Sequence, residues 1–188
     1  CSVFSATAGA KSTRHPVVMA TAGTVKNAIS RFNDGSYCAV ILDEAHRARA
    51  RGGLGDQASE PNNLMAFMQQ IGRRTRHLIL GTATPIQTDV RELWDLLGIL
   101  NSGAEFVLGD ALSPWHDHEQ AIPLVTGRAQ AKSEAEVWHW LSNPLPPGNE
   151  HHIVQQIRDY LSIDSKSFGC SHRFEDLDYM IQSLWLSE

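Results

Sequence analysis

Two adjacent carboxylates, Asp43 and Glu44, close the apolar run Ala39-Val40-Ile41-Leu42, and His46 follows two positions later. Carboxylate oxygens suit Mg2+, which keeps several waters and takes one or two protein carboxylates beside substrate phosphates. A neighbouring carboxylate can accept the proton of a water that attacks a phosphoryl group. Asp43 is the candidate metal ligand, through water, and Glu44 the candidate base. The rival reading of the pair is a strand end that caps a neighbouring helix. Further along, a basic turn, Arg73-Arg74-Thr75-Arg76, precedes the apolar run His77-Leu78-Ile79-Leu80. That run enters Gly81-Thr82-Ala83-Thr84-Pro85-Ile86-Gln87, with Arg91-Glu92-Leu93-Trp94-Asp95-Leu96-Leu97 close behind.

Together, Asp43-Glu44-Ala45-His46 and the Gly81–Gln87 segment resemble motifs II and III of helicase superfamily two. Thr84-Pro85-Ile86-Gln87 followed by Glu92-Leu93-Trp94 and Leu96-Leu97 is similar to the Swi/Snf-like branch, whose members translocate on double-stranded DNA. The resemblance covers Val17 to Asn101. It implies ATP and Mg2+ as cofactors, Asp43 on the metal, and Glu44 polarising the hydrolytic water. It implies that His46 links the ATP site to motif III. There Thr82, Ala83 and Thr84 would relay nucleotide state toward a DNA-binding face, and Gln87 would fix the turn. Val17-Val18-Met19-Ala20 with Thr21, Ala22, Gly23 and Thr24 resembles motif Ib, which touches the nucleic-acid backbone. Thr24 is placed to cap a helix from Val25, and a helix N-terminus attracts phosphate.

A phosphate-wrapping loop needs Gly-x-x-x-x-Gly-Lys-Ser/Thr. The nearest string, Ser5-Ala6-Thr7-Ala8-Gly9-Ala10-Lys11-Ser12, replaces both outer glycines, and Pro16 follows too soon for a regular helix. That string reads as a polar surface loop. The expectation is a fragment of the first RecA-like lobe of a larger ATPase, inactive in isolation, with the phosphate loop before Cys1 and a second lobe beyond Glu188. Three cysteines, Cys1, Cys38 and Cys170, are odd in number and far apart. That usage fits reduced thiols in an intracellular protein, cytoplasmic or in the nucleoid if bacterial. No apolar run is long enough for a membrane span.

The elements that must hold these residues follow from periodicity. The first part alternates apolar strands with amphipathic helices, which implies an α/β fold with a parallel sheet flanked by helices. Strand 17–21 leads to a helix near 24–32, a turn at Asn33-Asp34-Gly35-Ser36, and strand 37–42. A loop rich in Arg, Ala and Gly follows from Arg47 to Gly55. Arg47, Arg49 and Arg51 there either meet phosphates or form a solvated basic loop. Asn62 or Asn63 caps a helix with Leu64, Phe67, Met68 and Ile71 inward. Strand 77–80 then reaches motif III. Asp89 caps a helix with Val90, Leu93, Trp94, Leu97 and Leu100 inward. Continuous apolar strands predict a sheet covered on both faces, with Cys38 a small core residue.

Residues 1–103 carry eleven Lys/Arg against eight Asp/Glu, and residues 104–188 carry five against thirteen. The domain boundary falls between them: residues 1–103 as the partial RecA-like lobe, 104–188 as an acidic, mostly helical insertion or protrusion. Double-stranded DNA can only meet the first part, and the second suits a spacer or a surface for a basic protein partner. Helices are expected over 133–141, 150–161 and 174–184. His116-Asp117-His118-Glu119 reads as a polar loop rather than a metal site. Trp138 reads as a core residue rather than part of a partner surface with His139 and Trp140. His151-His152 reads as solvent-facing. Three other functions stay open: an RNA helicase lobe, a restriction-type translocase lobe, or a non-catalytic scaffold that binds a protein.

Overall fold

The computed structural model describes residues 3–5, 17–19, 37–51, 60–146, 152–164, 167–170 and 172–186. Thr21, Gly23 and Thr24 lie outside them, as do the helix expected near 24–32, the turn at 33–36, and all of the Ser5–Ser12 string beyond Ser5. The chain divides into two compact units, Cys1–Gly103 and Ala104–Glu188.

In the first unit, β1 (Val3–Ser5) pairs in parallel with β2 (Val17–Met19). A second parallel pair joins β3 (Tyr37–Leu42) to β6 (Thr75–Leu80), with Ala39 opposite His77 and Leu42 opposite Leu80. Parallel neighbours need a crossover. Helix α1 (Asn63–Gly72) lies within it, after the two-residue strands β4 (Ala50–Arg51) and β5 (Glu60–Pro61). The latter pair is antiparallel, Arg51 facing Glu60. Helix α2 (Arg91–Asn101) follows β6.

Asn62 starts α1 as expected, its Oδ1 accepting the Met65 N–H at 2.9 Å. Phe67, Met68 and Ile71 are buried together with Met65, Ala48 and Ile99, and Leu64 packs half-buried against them. Val40, Leu42, Leu78 and Leu80 cover the same cluster from the sheet. At the far end of α1 the backbones approach closely. A Cβ at Gly72 would stand 2.5 Å from Ser102 Oγ, and one at Gly103 would run into the Gly72 carbonyl.

Three expectations are corrected here. The opposite face of β3 and β6 is open among the described residues, with Ile41 69% and Ile79 52% exposed. Cys38 is exposed, because the packed cluster takes Tyr37, Val40 and Leu42 from this strand and leaves it out. On α2 the buried residues are Leu96 and Ile99, while Leu93, Trp94, Leu97 and Leu100 are half-buried. Leu96 and Ile99 share a stripe with Glu92 and Asp95 at i, i+3, i+4, i+7 spacing. The expected stripe flanks the buried one and is only half-covered.

The second unit is helical: α3 (His118–Val125), α4 (Glu134–Leu141), α5 (His152–Tyr160) and α6 (Tyr179–Leu186). Ser133 caps α4. Trp138, Ile157, Cys170, Leu177 and Ile181 form the core, and the Trp138 ring meets Trp185 edge-on at 5.2 Å. Trp140 is also buried and meets Trp115 at 5.1 Å, while His139 and His152 are exposed. Arg158 is 3% exposed and donates to the carbonyls of Leu145, Pro146, Asp164 and Ser167 at 2.6–3.2 Å. The His116–Glu119 segment is a helix start. Asp117 accepts the Glu119 and Gln120 N–H groups through Oδ1, opening α3. No described helix is long and apolar enough to cross a membrane.

Candidate nucleotide and coupling site

The C-terminal ends of parallel strands are where open α/β sheets place ligands. Here β3 and β6 end side by side. Gly81 N–H donates to the Leu42 carbonyl at 2.8 Å, and Ala45 N–H donates back to the Gly81 carbonyl at 2.9 Å. The ladder thus continues past both strands and ties the acidic pair to the Gly81–Gln87 turn.

Just beyond, the backbone turns sharply. Glu44 sits in the left-handed region, φ 52° and ψ 47°, and its N–H donates to Asp43 Oδ1 at 2.9 Å. A residue with a Cβ costs about 1–3 kcal/mol there, and such positions cluster where the chain must aim a functional group. The turn then runs into a short 3-10 segment, Ala45–Arg47, with Ala45 buried. Asp43 and Glu44 stay exposed.

His46 stands between the two motifs. Its Nδ1 lies 3.2 Å from Glu44 Oε2 and 3.2 Å from Thr82 Oγ1. With a proton on Nδ1, the ring donates toward that carboxylate. Without it, the Thr82 hydroxyl donates to Nδ1 instead. The line extends further, since Thr82 Oγ1 accepts the Thr84 N–H at 3.2 Å and Gln87 Nε2 donates to Thr84 Oγ1 at 3.3 Å. Glu44, His46, Thr82, Thr84 and Gln87 are therefore in continuous contact. Ala83 lies exposed within that turn and adds no polar side-chain atom to the line.

The donor set suits Mg2+. Asp43 and Glu44 offer hard carboxylate oxygens, and no cluster of three or more His, Cys, Asp or Glu able to hold a metal occurs among the described residues. Mg2+ commonly takes one or two carboxylates and keeps several of its waters.

Two residues that carry this geometry, Glu92 and Asp95, were given no role from sequence. Glu92, on the first turn of α2, accepts Gln87 N–H at 2.6 Å and the Thr88 hydroxyl at 2.7 Å. Arg49 Nη1 lies 3.4 Å from the same carboxylate. The Gln87 N–H, then the Thr88 hydroxyl, and to a smaller extent the Arg49 cation hold the Glu92 carboxyl below the usual carboxylate range. Asp95, one turn on, accepts Ala50 N–H at 2.8 Å. Arg49 is thus engaged by protein rather than simply solvated. Asn62 holds the same segment from the other side, its Nδ2 donating to the Arg47 carbonyl at 2.7 Å and its N–H to the Arg49 carbonyl at 3.1 Å. Arg51's side chain lies outside the described residues.

The second unit contains a cavity of about 520 Å³ lined in part by Trp138, His139, Cys170, His172 and Arg173. Cys170 Sγ lies 3.6 Å from His172 Nδ1. Burial pushes this thiol up, so it keeps its proton and is a poor nucleophile.

The SNF2-related domain family matches residues 5–139, well over half of the chain and inclusive of both motifs. The chain belongs to that family. Its SNF2-related match continues past Gly103 and ends within α4, so it takes in the start of the second unit. Over 123 residues the chain is 29% identical to the human DNA repair and recombination protein RAD54-like. That match covers 64% of this chain and 14% of the relative's length. No solved structure gives a significant match.

Proposed function

We propose that this SNF2-related chain is part of a DNA-stimulated ATPase that couples ATP hydrolysis to movement along double-stranded DNA. The observation that carries the reading is the His46 imidazole touching both Glu44 and Thr82. It gives the hydrolytic pair a direct line to the turn that would sense nucleotide state. Similarity to a protein named for DNA repair and recombination supports DNA as the track.

In this reading Asp43 would hold Mg2+. When bound, the ion would neutralise charge gathering on the phosphate oxygens. Glu44 takes the proton of the attacking water. His46 passes the resulting shift in carboxylate position to Thr82, and Thr84 and Gln87 carry it along the turn. Thr21, Gly23 and Thr24 are proposed to touch the DNA backbone. The domain reading stays as drawn from sequence, a partial lobe over 1–103 followed by an acidic segment. With thirteen Asp/Glu against five Lys/Arg, residues 104–188 suit a basic protein partner rather than a phosphate backbone. Such a motor works inside the cell.

The 188 residues hold no Gly-x-x-x-x-Gly-Lys-Ser/Thr string, so the chain alone is expected not to hydrolyse ATP. The test therefore uses a longer protein that carries this chain. There Glu44→Gln should lower DNA-stimulated turnover by at least about 100-fold while ATP still binds. Unchanged turnover would remove Glu44 from the mechanism. Stimulation by RNA or single strands in preference to duplex DNA would move the protein to the RNA-helicase reading. An ATPase-silent protein that still captures a partner through 104–188 would make it a scaffold.

A further inference from the structure

The segment leaving the acidic pair and the turn leaving Gly81–Thr84 are separate in sequence, yet both are fastened to one stripe of α2. Glu92 takes Gln87 and Thr88 from the turn and Arg49 from the segment. Asp95 takes the Ala50 N–H of the same segment. Leu96 and Ile99 continue the stripe into the core, Ile99 being fully buried. The two carboxylates therefore stand on a helix anchored by its buried end, and they cannot move apart from one another. Asn62 fixes the segment's other edge at Arg47 and Arg49. Arg47–Ala50 is thus held by Asn62 on one side and by Glu92 and Asp95 on the other.

We infer that Glu92 and Asp95 are positioning residues that lock the exits of the two motifs onto α2, so that occupancy of the DNA face changes the rate at the hydrolytic pair. The inference rests on the ATPase reading above. Neither residue touches substrate. Their effect is carried by the Ala50 and Gln87 amides and by Arg49. Glu92 keeps its charge near neutral pH because its partners favour the ionised form.

The experiment measures ATP turnover of the longer protein with and without duplex DNA. Glu92→Ala and Asp95→Ala should each lower the ratio of the two rates by about tenfold, an ordinary size for coupling between sites. Asp95→Asn should restore most of the ratio, since an amide oxygen still accepts the Ala50 N–H. Arg49→Ala should lower it less, and adding it to Glu92→Ala should have no further effect if the two act as a pair. A merely structural role would remove active molecules and scale both rates together, leaving the ratio intact. That outcome overturns the proposal, as does Asp95→Asn behaving like Asp95→Ala.

Amide exchange gives a readout independent of catalysis. Exchange at Ala50 should accelerate in Asp95→Ala but not in Asp95→Asn, and exchange at Gln87 should accelerate in Glu92→Ala. Unaltered exchange at both amides sinks the lock even if turnover falls. Intact turnover in Glu44→Gln would instead sink the hydrolytic assignment, and the exchange result would still decide whether α2 joins the two exits.

Discussion

The first unit gathers loose backbone with an anion, Glu92, and the second gathers it with a cation, Arg158, and the surroundings of the two differ. Arg158 is buried among four main-chain carbonyls that belong to the loops on either side of α5. Glu92 sits at a helix start near the acidic pair, 15% exposed, with an arginine partner that is 47% exposed. A buried charge satisfied by backbone on every side is hard to disturb. A charge at a rim, shared between the segments that leave Asp43–Glu44 and the Gly81–Gln87 turn, is weaker and can be moved. Hydrogen bonds from a charged side chain to backbone thus mean different things at different depths.

The largest loss is expected at Arg158. Replacing it by Met leaves buried carbonyls without a donor and should cost about 3–5 kcal/mol, read from urea denaturation of the chain. Amide exchange at Ala50 should stay unchanged, and acceleration there would mean that the two devices are not separate. A middle effect is expected at Asn62, which caps α1 and also holds the Arg47 carbonyl. Asn62→Ala should lose about 1–2 kcal/mol. Asn62→Asp keeps the capping oxygen but not the amide donor, so it should recover most of the stability while Arg47–Ala50 loosens. Equal destabilisation by both substitutions would show that the cap is not the main term.

The smallest effect is the pH dependence of Glu92. Its carboxyl ionises more readily in the folded chain than in the unfolded one. Its share of stability is therefore complete above the ordinary carboxylate range. That share shrinks as pH falls through the range and is gone below the lowered native value. Wild type and Glu92→Gln, unfolded in urea from about pH 7 down to about pH 2, should converge at the acid end. Parallel curves would remove the carboxylate from the stability of the turn.

Much of this was legible in the amino-acid order because the relevant signals are local. A strand ending in two carboxylates, an asparagine before an apolar stripe, and a turn of small residues after a second strand each predict their own element. Strand Tyr37–Leu42 and the Asn62 cap appear where expected. The parts that were not legible depend on partners far along the chain. Glu92 lies in the Glu92-Leu93-Trp94 string and Asp95 just after it, but their roles depend on Arg49 and Ala50, 43 and 45 residues away. Only their spacing with Leu96 and Ile99 could have pointed to them. Helix α3 was hidden because Pro123 lies inside it and its first residues look like ligands, although Asp117 is an ordinary cap. Cys38 looks like core by strand position, but exposure is decided by which helices pack on the sheet.

The antiparallel rung between Arg51 and Glu60 has a practical consequence. The span that leaves β4 returns to the same place at β5, so its two ends are clasped whatever its length. Loop-closure entropy grows slowly, by about 0.6 kcal/mol for each doubling. A lengthened connection between Arg51 and Glu60 would therefore cost the rung little, and a reporter carried on it would sit a few residues in sequence from the Asp43–Arg47 turn.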